Sequence, residues 1–136
     1  MGTFEVDKNI MDTIEIKEDC KVIIAKKAML NNSDFFDVAM TNVKIVNANL
    51  SDLEIEGAQL GGAFMHNIGM PPRDHPMYDP EARQRPLRFE DCDLHGSTFT
   101  NCNLSGIELT DCNIKGMKID GIPIDDLLSA YAKTIK

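Results

Sequence analysis

The stretch Phe89-Glu90-Asp91-Cys92-Asp93-Leu94-His95-Gly96-Ser97-Thr98-Phe99-Thr100-Asn101-Cys102-Asn103-Leu104-Ser105-Gly106-Ile107-Glu108-Leu109-Thr110-Asp111-Cys112-Asn113-Ile114 decides how the whole chain is read. A large apolar residue recurs every five positions, at Phe89, Leu94, Phe99, Leu104, Leu109 and Ile114, and Asp, Asn, Ser, Thr and Gly fill most of the spaces. The series continues to Ile119 and Ile124. Further upstream, one position out of phase, the same spacing gives Leu30, Phe35, Met40, Ile45, Leu50, Ile55, Leu60 and Met65. All sixteen centres are apolar in a chain that is 43% hydrophobic. Sixteen preselected positions would match that way roughly once in a million. Two residues before each centre sits a partner, such as Ala48, Ala58, Cys92, Cys102 or Cys112.

A period of five fits neither common element. On an α-helix, five residues rotate the chain by roughly 140°, so the centres scatter around the axis. On a straight strand, an odd period sends successive centres to opposite faces. Within a unit, centre and partner lie on the same side of an extended segment. The arrangement that keeps every centre inside is a short extended segment, a corner and another short segment, coiling about a common axis and stacking at about 4.8 Å per coil. Gly96, Gly106, Gly116 and Gly121 stand two residues after centres, where a corner calls for positive φ. Asn and Asp beside other centres tolerate the same conformation.

Segments such as Asp91-Cys92-Asp93-Leu94-His95, Asn101-Cys102-Asn103-Leu104-Ser105 and Ala48-Asn49-Leu50-Ser51-Asp52 resemble the pentapeptide repeat family, whose motif is A(D/N)LXX. The resemblance implies an all-β, right-handed quadrilateral β-helix with four pentads per coil. In agreement, Asp91-Cys92-Asp93-Leu94 returns twenty residues later as Asp111-Cys112-Asn113-Ile114. Leu53, Leu87, Ile107, Met117 and Ile122 depart from the motif, being larger than the small residue usual at the partner position.

The chain is expected to form a single domain. Residues 1–27 are an irregular coil or cap, 28–65 and 87–124 are repeats, 66–86 are an insertion, and 125–136 are a short C-terminal capping helix. In that last segment Asp125 is placed to cap the helix, Lys133 and Lys136 match its dipole, and Leu127, Leu128, Tyr131 and Ile135 share one face. That face seals the last coil or, as the alternative, joins two copies into a homodimer.

The insertion holds five of the six prolines, Pro71, Pro72, Pro76, Pro80 and Pro86, which exclude regular helix and central strand. All four arginines, Arg73, Arg83, Arg85 and Arg88, lie in it or beside it. From His66 to Arg88 they meet only Asp74, Asp79 and Glu81, a net charge of +1, whereas residues 28–65 carry −4 and residues 89–126 carry −6. Either the arginines fold the loop onto the acidic body, or the loop, through Arg73, His75, Arg83, Arg85 and Arg88, recognises a partner or an anion.

A formal net charge of −8 on 136 residues disfavours direct binding to nucleic acid or an anionic membrane. No apolar run reaches the length of a membrane span, and the first dozen residues carry Glu5, Asp7 and Asp12 and no signal-peptide core. The expected location is the cytoplasm, with the four cysteines reduced. Cys92, Cys102 and Cys112 occupy partner positions facing the bore, where they act as small apolar residues; the ten-residue spacing is not that of zinc ligands. His66 and His75 share the loop with Asp74 and Asp79 in no recognised ligand pattern, and no catalytic motif is present.

The expectation is a non-enzymatic structural or protein-interaction module, with no catalytic residues, metal or cofactor and with another protein as its partner. Two alternatives stand beside it. Some proteins of this family resemble duplex DNA in shape and charge, bind DNA gyrase and protect it from quinolones, and the acidic blocks suit that reading. The other alternative is a metal or anion binder built on the loop.

Overall fold

A computed structural model describes residues 12–135. Of the expected N-terminal cap, residues 1–11 lie outside the described residues, as does Lys136. The chain divides into two units, Met1–Gly62 and Ala63–Lys136.

The five-residue period is written directly into the backbone. A residue with positive φ follows each centre by two positions: Asn32, Asp37, Asn42, Asn47, Asp52 and Gly57, then Gly62 and Asn67, and later Asp91, Gly96, Asn101, Gly106, Asp111 and Gly116. Lys27, at φ 51°, adds a corner one pentad ahead of the first centre at Leu30. The left-handed conformation costs an L-residue about 1–2 kcal/mol, which is why Gly, Asn and Asp hold all these corners except Lys27.

The corners are of two kinds, alternating every ten residues. The Leu53, Ser97, Ile107 and Met117 amides donate to the carbonyls of Leu50, Leu94, Leu104 and Ile114 at 3.0–3.1 Å. With positive φ only at the third residue, these are type II turns. The corners between them, at Asp91, Asn101 and Asp111, are bends without that bond.

Within Met1–Gly62, segments twenty residues apart return to one another. Residues 30–34 and 49–54 line opposite sides of an open groove of about 610 Å³.

In Ala63–Lys136 the repeat ends in a hairpin. Strands β1 (Lys118–Ile119) and β2 (Ile122–Pro123) pair antiparallel, Lys118 opposite Pro123 and Ile119 opposite Ile122. Asp120 and Gly121 both have positive φ, the type I′ turn for which Asp-Gly is suited. Helix α1 (Ile124–Thr134) follows at once. Ile124 therefore opens a helix and does not centre another pentad. The expected cap also changes. Asp125 is not the capping residue, because the helix starts directly from β2; Pro123 holds the cap position with no side-chain bond, and Asp125 and Asp126 lie in the first turn. There they still complement the helix dipole, with Lys133 in the last turn.

The expected packed bore is not formed. Among the described residues no side chain is fully buried. Among the described residues, every backbone bond outside β1, β2 and α1 spans three residues, except Ile124 N–H to Met117 C=O at 2.9 Å. Cys92, Cys102 and Cys112, placed by the sequence inside the bore, are exposed for the same reason: no neighbouring coil covers them. The helix face is likewise only partly covered, with Leu127 half-buried and Leu128, Tyr131 and Ile135 exposed. The centres nevertheless already turn inward. Phe35 is 57% exposed against 81% for its neighbour Phe36, and Leu94 and Leu104 fall to 44% and 45%.

Candidate functional site

The loop between the two repeat blocks is built from successive turns that its prolines and Asx residues favour. The His75 amide donates to the Pro72 carbonyl and the Tyr78 amide to that of His75, both at 2.9 Å. The Met77 amide donates to His75 Nδ1 at 3.1 Å, so the neutral ring carries its proton on Nε2. Asp79 repeats the device: its Oδ1 accepts from the Glu81 amide at 2.9 Å, and its carbonyl accepts from Ala82 at 3.3 Å. Pro71 and Ala82, near the two ends of this run, are half-buried.

The arginines are used differently from one another. Arg83 Nη1 donates to the carbonyls of Pro80 at 2.6 Å and Ala82 at 2.9 Å, which ties the arginine to its own loop. Arg88 pairs with Glu90 of the first pentad that follows, and this hydrogen bond, with the adjacent charge, raises its pKa further. Arg85, exposed, is also engaged. Arg73 is exposed within the loop's first turn and has no hydrogen bond or ion pair among the described residues. His66 lies at the loop's start, stacked on Phe64 with ring centroids 4.4 Å apart. The loop thus places Arg73 and His75 together in one turn, with the guanidinium of Arg73 and the Nε2 of His75 as its donors.

The repeats carry a second set of polar residues, clamps that the sequence reading passed over. Asn49, Asp93, Asn103 and Asn113 each accept, through Oδ1, the amide two residues on, at Ser51, His95, Ser105 and Lys115, over 3.0–3.1 Å. Each clamp sits immediately before the centre of a type II turn. At the intervening bends the thiols of Cys92, Cys102 and Cys112 donate to the carbonyls of Glu90, Thr100 and Thr110 over 3.1–3.4 Å. The signal was available as a ten-residue alternation: Asx-Leu or Asx-Ile followed by x-Gly at one corner, and Asx-Cys at the next.

At Asp93 the clamp also has an electrostatic consequence. The His95 amide, then the His95 ring at 2.9 Å, hold the carboxyl below the usual aspartate range. A lowered folded pKa stabilises the fold at pH values above the unfolded value of about 3.9, and this is lost as pH falls through the folded value. Asp93→Asn is therefore expected to keep the turn, as Asn103 and Asn113 do, while flattening the acid limb of the melting-temperature profile below about pH 4. An unchanged acid limb in thermal melts would show that Asp93 contributes nothing to it.

Among the described residues, no group of three or more His, Cys, Asp or Glu side chains is arranged to hold a metal ion. No helix in them is long and apolar enough to cross a membrane. Residues 88–122 match the family described as Pentapeptide repeats, with eight copies. No curated protein and no solved structure matches the chain. The five-residue corner pattern from Lys27 to Asn67 lies outside the matched segment and shows the same backbone geometry.

Proposed function

From a chain that carries pentapeptide repeats, we infer a non-enzymatic β-solenoid that serves as a protein-interaction module. The observation that carries this reading is the left-handed corner at every fifth residue. It spends the regular part of the chain on a wall of short extended segments and tight corners. The groove lined by both residues 30–34 and 49–54 supports a return after about twenty residues, which is the four pentads per coil of a quadrilateral form.

The surface area argues that the coil closes. The chain exposes 15260 Å². A compact protein of its mass exposes about 7,000 Å², and the extended chain about 22,000 Å². Drawing each coil down to strand spacing would pair the free backbone groups and cover the centres. The free cysteines suit a reducing cytoplasm.

The partner in this reading is another protein, met through the loop. Arg73 and His75 are its presented donors, on a loop of positive charge between acidic walls, which favours an acidic surface on the partner. A homodimer is a second contact, through Leu128 and Tyr131 on α1 and Ile135 just after it. Antiparallel pairing of two such helices would set Asp125 and Asp126 against the other copy's Lys133. The test compares pull-downs by the full chain, by the variant Arg73→Ala with His75→Ala, and by Lys44→Glu on the wall. Capture is expected to fall at least tenfold for the loop variant alone. Equal capture by all three would reject the loop as the contact. Turnover of a substrate by the purified chain would reject the non-enzymatic reading.

A further inference from the structure

Four of the six half-buried residues among those described, Ile114, Met117, Ile124 and Leu127, fall within fourteen positions of one another. They flank the type I′ hairpin, and the one backbone bond that reaches beyond a local turn, Ile124 N–H to Met117 C=O, joins the last type II turn to the start of α1. From Phe89 to Leu109 the centres remain 44–60% exposed. The distinction is physical: a hairpin and a helix each close on local contacts, whereas stacking pentads must first bring together residues twenty apart.

We propose that the β1–β2 hairpin and α1 form a clasp from which the coil of residues 89–117 closes, toward the N-terminal side of that block. The inference rests on the closure reading given above. The half-buried Leu127 in the first turn of α1 and the half-buried Ile114 and Met117 of the last type II turn together become the floor on which the preceding coil is laid. Each added coil then finds a paired edge waiting and needs no new nucleus, the nearest-neighbour behaviour of repeat folds. Interrupting the clasp removes the floor for every coil, whereas interrupting the far end removes only the last coil laid.

Hydrogen exchange followed by mass spectrometry on the full chain separates these cases. In the wild type, amides of residues 89–122 are expected to exchange at least 100-fold slower than the same peptides in denaturant. Leu127→Asp, and in milder form Leu127→Ala, should speed exchange across the whole of 89–122 by at least tenfold. Phe89→Asp should do so only in residues 89–98. Loosening confined to α1 in the Leu127 variants, or loosening of the whole block by Phe89→Asp, would overturn the clasp while leaving closure intact. Unprotected amides throughout 89–122 of the wild type would overturn closure, and the clasp with it.

Discussion

Only one of the four cysteines, Cys20, is expected to react rapidly with a thiol reagent such as DTNB in native buffer, and the other three to lag by a factor on the order of 100. In the open coil all four are exposed. Closure changes that for Cys92, Cys102 and Cys112, because they sit two residues before centres, on the side of the extended segment that faces the axis. Their thiols already donate to the carbonyls of Glu90, Thr100 and Thr110 within their own corners. Cys20 precedes the first periodic corner at Lys27 and lies among charged neighbours, its amide donating to Asp19 and Asp19 pairing with Lys21. Nothing in closure covers it. In denaturant the four should react at a common rate, which sets the reference. Four equally fast thiols under native conditions would mean that the coils do not stack, and the proposed solenoid would fail.

The period, the corners and the end of the repeat were legible for different reasons. A centre every fifth residue is a composition signal, and it located the corners because only Gly, Asn and Asp meet the left-handed requirement at low cost. The finer alternation of turn and bend was present in the spacing of Gly96, Gly106 and Gly116 but was read only as a set of permissive positions. The end of the repeat was misread at Ile124, which opens α1, while Ile122 lies within the segment that matches the repeat family. Both residues continue the apolar period, yet Asp120-Gly121 just before them folds the chain back into the β1–β2 hairpin, and turn chemistry outweighs periodicity over so short a span. Asp125 was read as a cap because the residue type fits, whereas the chain enters α1 directly from β2 and leaves no position for a capping side chain. In the loop, the prolines announced irregular structure, but which arginine would be tied down was not legible. That depends on which carbonyls the turns leave pointing outward, as those of Pro80 and Ala82 do toward Arg83.

Leu104→Ala is expected to cost about 2–5 kcal/mol, the usual range for removing a leucine from a packed interior. For a chain of this size that lowers the melting temperature by roughly 10 °C or more. The expectation comes from its place as the pentad centre that opens a type II turn, with Ile107 N–H on its carbonyl at 3.1 Å and Asn103 clamping Ser105 beside it. In the open coil Leu104 is 45% exposed, and truncation there would cost well under the full transfer value. The size of the effect therefore reports whether a second coil lies over the side chain. Two companions fix the interpretation. Ser105→Ala removes the hydroxyl bond to Asn103 at an exposed corner and should cost under about 1 kcal/mol. Gly106→Val forces a β-branched residue to φ 73° and should cost at least about 1–2 kcal/mol whether or not the coils are stacked. If Leu104→Ala proves no more harmful than Ser105→Ala while Gly106→Val still destabilises, the corners are real and the packed bore is not.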